Sequence, residues 1–169
     1  MSIHNPDRKR YTTIPFPARK FIPGKSIHPD RDPHGSHIPS LPKLDKDLHQ
    51  DNWMNSQHYL YAVDLFNFGF WWEAHEVLEK IWVHSGKKSS TAIFIQGLIQ
   101  IAAALLKDSQ NISQGAKNLQ SKGLPKLKSQ SGVYLGIDVG QFVSEIERYF
   151  SGEVMDLPEI ILQEKVEDI

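Results

Sequence analysis

At 169 residues, with 40% hydrophobic and 23% charged content, the chain has the make-up of one ordinary globular domain. Its 19 basic and 20 acidic residues leave a formal net charge of -1, which excludes a general electrostatic pull toward nucleic acid or an anionic membrane. With no cysteine, disulfides, Cys-based zinc sites and thiol catalysis are excluded as well.

Residues 1–52 read as an irregular arm. Eight of the ten prolines fall here (Pro6, Pro15, Pro17, Pro23, Pro29, Pro33, Pro39 and Pro42), as do His4, His28, His34, His37 and His49. Prolines at this density remove backbone donors and push the preceding residues toward extended conformations. Tyr11, Ile14, Phe16, Phe21, Ile22 and Ile27 are too many apolar groups for a plain solvated linker, so the arm is expected to lie across the body. The N-terminus lacks the apolar core of a signal peptide and no apolar run approaches the ~20 residues of a membrane span. A cytoplasmic protein is the expectation.

Residues 53–152 read as a helical bundle and 153–169 as a tail. The first helix is predicted over Ser56–Phe68, with Asn55 as N-cap, Leu60, Val63, Leu65 and Phe66 on its core face, and Gly69 as its stop. Gly69 leaves almost no loop before a second helix over Trp71–His84, which makes a tight helical hairpin. A third helix, Thr91–Lys107, is apolar nearly all round and reads as the central core helix. Gly97 within it costs about 1 kcal/mol against alanine and predicts close approach by a neighbouring backbone. Gln96 and Gln100 form its mid-helix polar stripe. A fourth helix, Ser113–Lys128, contains Pro125 and is expected to kink or break near Gly123. A loop, Ser131–Ile137, leads to Asp138 and Gln141, a capping-box-like start for a fifth helix ending at Gly152. The tail is expected to add a short extended segment. With no repeats and no alternating strand series, the class is all-α.

Chemistry concentrates in Leu65–Trp82, LFNFGFWWEAHEVLEKIW. At roughly 100° per residue, Trp71, Ala74, Leu78, Ile81 and Trp82 make an apolar stripe. His75 and Glu79, four apart, stack just off its edge; Glu76 lies about 60° further round, with Trp72 between. One helix therefore presents an imidazole and two carboxylates beside bulky aromatics.

FNFGFWWEAHEVLEKIW, followed by FIQGLIQIAAAL, QGAKNL and YLGIDV, resembles bacterial and archaeal domain-of-unknown-function family 309 over roughly Val63 to Phe150. The arm's FIPGKSIHPDRDPHGSH is similar to an N-terminal extension of some members. The resemblance implies a compact bundle of about five helices and no established function. It carries over to Asn67, Gly69, Glu73, His75, Glu76, Glu79, Trp82, Gln96, Gly97 and Gln100. The chain departs at Leu106, Lys107 and Asp108, where the family often has a histidine, and at Gln110, where a glycine usually precedes the asparagine that is Asn111 here.

HExxE differs from the HExxH of zinc proteases by a carboxylate in place of the second histidine, and oxygen is a competent ligand. A divalent metal ion held by His75, Glu79 and Glu76 would draw a further ligand from Asp64 or an arm histidine; Glu76 and His75 are then the candidate catalytic residues of a metal-dependent hydrolase. The competing reading is a buried polar network in which His75, Glu76 and Glu79 bond to Gln96, Gln100 and the indole N–H of Trp82. A third is a small-molecule pocket walled by Trp71, Trp72 and Trp82, with Asn67 and the polar trio setting orientation and Glu73 left at the surface. His28, Asp30, Asp32, His34 and His37 in the arm form a second, irregularly spaced candidate chelating set. RKRY (Arg8–Tyr11) and KGLPKLK (Lys122–Lys128) are short basic runs that do not add up to a nucleic-acid surface. No GxSxG or GxGxxG is present. The favoured expectation is a binding or assembly module, homo-oligomeric through exposed Trp71 or Trp72, with neither nucleic acid nor membrane as partner; the metal-dependent hydrolase is the alternative.

Overall fold

The computed structural model describes residues 7–33 and 37–164. Five helices follow in order: α1 (Gln57–Asn67), α2 (Trp71–His84), α3 (Ser90–Ser109), α4 (Ser113–Leu127) and α5 (Val139–Phe150). Between α4 and α5 lies a small antiparallel hairpin, β1 (Val133–Tyr134) and β2 (Ile137–Asp138), with Val133 opposite Asp138 and Tyr134 opposite Ile137. The expected loop at Ser131–Ile137 is thus a two-residue ladder. The tail adds one strand-like contact to it, a bridge from Leu162 to Ile137.

Helix boundaries follow local chemistry. Asn55 is not the N-cap of α1, because it already belongs to a one-turn 3-10 helix, Trp53–Asn55. Ser56 takes that role, its Oγ accepting from the Tyr59 N–H at 3.2 Å. At the other end Gly69 sits at φ +79°, with its N–H on Phe66 and the Phe70 N–H on Leu65 at 2.8 Å. That paired closure reverses the chain in two residues, as the glycine predicts, and sets α1 against α2. Asn111 (φ 60°) closes α3 in the same manner, its N–H on Asp108 and that of Ile112 on Lys107. Asparagine tolerates this conformation, so Gln110 preceding it does not prevent the stop.

Two expectations about α3 and α4 are corrected. α3 runs 20 residues, longer than the Thr91–Lys107 reading, and by length and composition alone it could cross a membrane. More than half of it is buried between α2 and α4, with Phe94, Ile95, Leu98, Ile101 and Ala102 fully enclosed, as a core helix requires. α4 does not break at Gly123. Pro125 stands two residues from its end, where its missing donor costs one bond to Ser121, and the Lys128 N–H still reaches Leu124 at 2.9 Å.

Gly97 has the reason its position predicts. A Cβ there would lie 2.9 Å from the Leu127 side chain and 3.1 Å from the Gly123 carbonyl; one on Gly123 would lie 3.1 Å from the Gly97 carbonyl. The two backbones touch, so α3 and α4 cross without side chains between them. Gly97→Ala is expected to lower stability by about 1–2 kcal/mol, since the steric cost exceeds the ~1 kcal/mol that alanine returns in helix propensity. Urea unfolding of the variant measures it; an unchanged midpoint would mean that the crossing yields freely.

Candidate functional site

α2 is the helix on which polar chemistry gathers, and its two sides do different work. Glu73 is not a surface residue: it is fully buried, one turn before Val77 and so on the core face. Its Oε1 accepts the Phe21 N–H of the arm at 2.8 Å, while Oε2 is buried without a partner. Burial pushes its carboxyl up to about 7, against the opposing pull of the Phe21 N–H and the Lys20 ammonium.

On the solvent shoulder stand His75, Glu76 and Glu79. One ligand atom from each lies within 4.8 Å of the other two, and all three residues are half-buried. Among the described residues this is the group of side chains spaced to hold a metal ion. His75 Nδ1 is 3.2 Å from Glu76 Oε1, an ion-pair distance, yet the N–H is not aimed at that oxygen and the buried nitrogen has no aligned hydrogen bond. Residues one apart on a helix diverge, which is why the contact is close but poorly directed. The Glu76 carboxylate nonetheless raises the imidazole above its ordinary value despite burial, and His75 in turn lowers Glu76.

The expected bonds from this trio to α3 are not the ones formed. Gln100 Oε1 accepts from Lys126 Nζ of α4 at 2.9 Å. Trp82 Nε1 is buried without a partner, and its ring carries Lys87 Nζ at 5.1 Å. Gln96 is half-buried on α3. Asn67 is enclosed at the end of α1, where its side chain donates to the Ile160 carbonyl and accepts the Ile160 N–H, both at 2.8 Å; it holds the tail rather than facing the trio. Asp64 is equally unavailable as a ligand. It is fully buried and accepts from Arg10 Nε, the N–H groups of Tyr11 and Thr12, and the Thr12 hydroxyl, at 2.7–3.0 Å.

The arm thereby supplies what the sequence reading missed. Arg8 is buried and donates to the carbonyls of Asn67 and Leu157. The RKRY run is structural: Arg10 pairs with Asp64 and lies 3.9 Å over the Phe16 ring. An aspartate within the apolar first helix was the available signal, because such a group demands a cation from elsewhere. Trp72 is covered by Phe21 and His28, with ring centres 4.6 and 5.6 Å away. Asp32 is buried, and His34 and His4 lie outside the described residues.

Two cavities flank the trio. One of about 300 Å³ is lined by Trp72, His75, Ala103, Leu106, Lys107 and Pro23; the other, of about 400 Å³, by Leu44, Glu76, Glu79, Lys80 and Val83. A nitrogen and two carboxylates between such surfaces can bind a divalent cation and leave coordination positions open.

Residues 59–119, from α1 into α4, match the family model described as Domain of unknown function (DUF309), the family that the sequence blocks resemble, and the match ends before the YLGIDV block. No curated protein and no solved structure matches the chain.

Proposed function

We propose that the protein is a binding module whose second helix takes a divalent cation through His75, Glu76 and Glu79. The observation that carries this reading is the grouping of three ligand atoms within 4.8 Å around an imidazole nitrogen that is buried and lacks an aligned partner. Ligand atoms around a tetrahedral ion with bonds of about 2.1 Å sit roughly 3.4 Å apart. Rotation of the two glutamate side chains, both partly exposed, supplies that contraction. One nitrogen and two oxygens suit zinc, manganese or iron(II) better than calcium, which prefers oxygen alone.

Calorimetric titration of untagged protein with zinc and with manganese tests it. One ion per chain is expected, with a melting temperature that rises on addition and falls back on chelation. Glu79→Gln should weaken binding by at least tenfold, while Glu147→Gln, remote on α5, should leave it unchanged. Absence of binding at millimolar metal would overturn the reading.

A hydrolase reading, with Glu76 as base, draws on the cavity between His75, Trp72 and Leu106, which would take an apolar group beside the metal. Metal-dependent turnover of simple ester or phosphodiester probes, abolished by Glu76→Gln, separates it from binding alone.

A further inference from the structure

The cavity of about 300 Å³ beside His75 lies between one stripe of α2 and one of α3. On α2, Trp72 and His75 stand three apart; on α3 and its C-cap, Ala103, Leu106, Lys107 and Gln110 recur at helical spacing. Ala103, the smallest of these side chains, leaves the space that the larger ones wall. The arm closes one edge, held there by Gln110, whose Nε2 donates to the Pro23 carbonyl at 2.9 Å.

The lining carries no carboxylate, whereas the cavity on the other side of the trio carries Glu76 and Glu79. Its cation is Lys107. That side chain is half-buried, and among the described residues its ammonium has no hydrogen bond, ion pair or ring contact. The acid next to it in sequence, Asp108, is committed elsewhere, its Oδ2 accepting from the Tyr149 hydroxyl of α5 at 2.7 Å. The Lys107 stem has a seat because Gly115, in the first turn of α4, has no side chain: a Cβ there would lie 2.8 Å from the lysine Cδ. A half-buried ammonium without a counter-charge, set among apolar walls, matches a single negative charge that carries an apolar group. A dianionic phosphate would meet one ammonium and no arginine, while a carboxylate is matched charge for charge.

We propose that this cavity binds a small organic carboxylate with an aromatic or branched aliphatic body, the carboxylate on Lys107 Nζ and the body between Trp72 and Leu106. The inference rests on the reading of the protein as a binding module, but not on the cation, since the group that holds the carboxylate is not among the metal ligands.

Phenylacetate and isocaproate are the probes, with phenylacetamide as the uncharged counterpart. Each is titrated into the full chain in the presence of a chelator and followed by the backbone and indole N–H shifts in NMR spectra. The wild type is expected to bind at least one carboxylate with a Kd on the order of 1 mM, as suits so small a ligand, with shifts centred on Trp72 and Lys107. Phenylacetamide should bind about tenfold more weakly than phenylacetate. Lys107→Met, which keeps a stem against Gly115, should lose the preference for the charged probe, and Lys107→Arg should keep it. Ala103→Leu, which fills the space, should abolish binding of all three. The charged and uncharged probes are compared on the wild type itself, so a variant that fails to fold does not remove the test. Equal wild-type affinity for phenylacetate and phenylacetamide would overturn the proposal. So would unchanged phenylacetate affinity in Lys107→Met, or no binding of either carboxylate at millimolar concentration. None of these outcomes bears on the cation, and a failure to bind metal would leave the carboxylate preference in place.

Discussion

Replacing Asp64 with asparagine is expected to destabilise the protein by about 3 kcal/mol and to free the arm. Asp64 is fully enclosed, and its Oδ2 alone accepts from Arg10 Nε at 3.0 Å, the Thr12 N–H at 3.0 Å and the Thr12 hydroxyl at 2.7 Å. Asparagine puts either an NH2 group or a neutral oxygen where those donors converge. If Nδ2 takes that position, donor faces donor; if it takes the other, the Tyr11 N–H loses its acceptor. Removing one partner of a buried charged pair costs about 3–5 kcal/mol, and the lower end applies because Arg10 is partly exposed. At roughly 2–4 °C per kcal/mol for a chain of this size, the melting temperature should fall by roughly 6–12 °C. Tryptic cleavage after Arg19 and Lys20 should accelerate in parallel. A variant that melts with the wild type and protects its arm equally would show that the aspartate is not what holds residues 10–12.

The wild type is expected to lose stability as pH rises from 4.5 to 7, and Glu73→Gln to remove that dependence. The folded carboxyl titrates near 7, because burial disfavours its charge, whereas in the unfolded chain it titrates near 4.5. In that window the folded protein holds the proton and the unfolded chain has lost it. Stability conferred by the protonated acid is therefore complete below pH 4.5, declines as pH rises, and levels off above 7. At about 1.4 kcal/mol per pH unit, the decline amounts to as much as ~3 kcal/mol. Glutamine cannot ionise, and its carbonyl can still accept the Phe21 N–H. Urea midpoints across pH 5–8 should therefore slope downward for the wild type and run flatter for the variant. Parallel slopes would place the titration in some other group.

The architecture was largely legible in the sequence because helical periodicity, Gly69 and the capping pair at Asp138 are local signals, while the α1 cap fell one residue later than expected, on Ser56. Gly97 was legible too, since a glycine amid the bulky apolar residues of a core helix marks where a neighbouring backbone must come close. Pro125 misled through its type: proximity to the helix end, not identity, decided its effect. At the site, the facing of His75, Glu76 and Glu79 on one shoulder followed from spacing alone. The partners of buried polar groups did not. Glu73 looked like a surface residue until its neighbour one turn on, Val77, is considered as core. Arg8 and Arg10 looked like a basic run because pairings across more than 50 positions leave no periodic trace. Gln100 found Lys126 instead of the α2 carboxylates for the same reason: helix rotation about its axis is a tertiary quantity.

The two ends of the described chain meet at Asn67. The Arg8 guanidinium spans the carbonyls of Asn67 and Leu157, and the Asn67 amide grips Ile160 in both directions. Tyr11 completes the closure, its hydroxyl accepting the Leu162 N–H at 3.0 Å. Opening either end strands polar atoms that the other has already desolvated, so neither frays at its own small cost. Segments with almost no regular structure of their own are thereby expected to unfold together with α1.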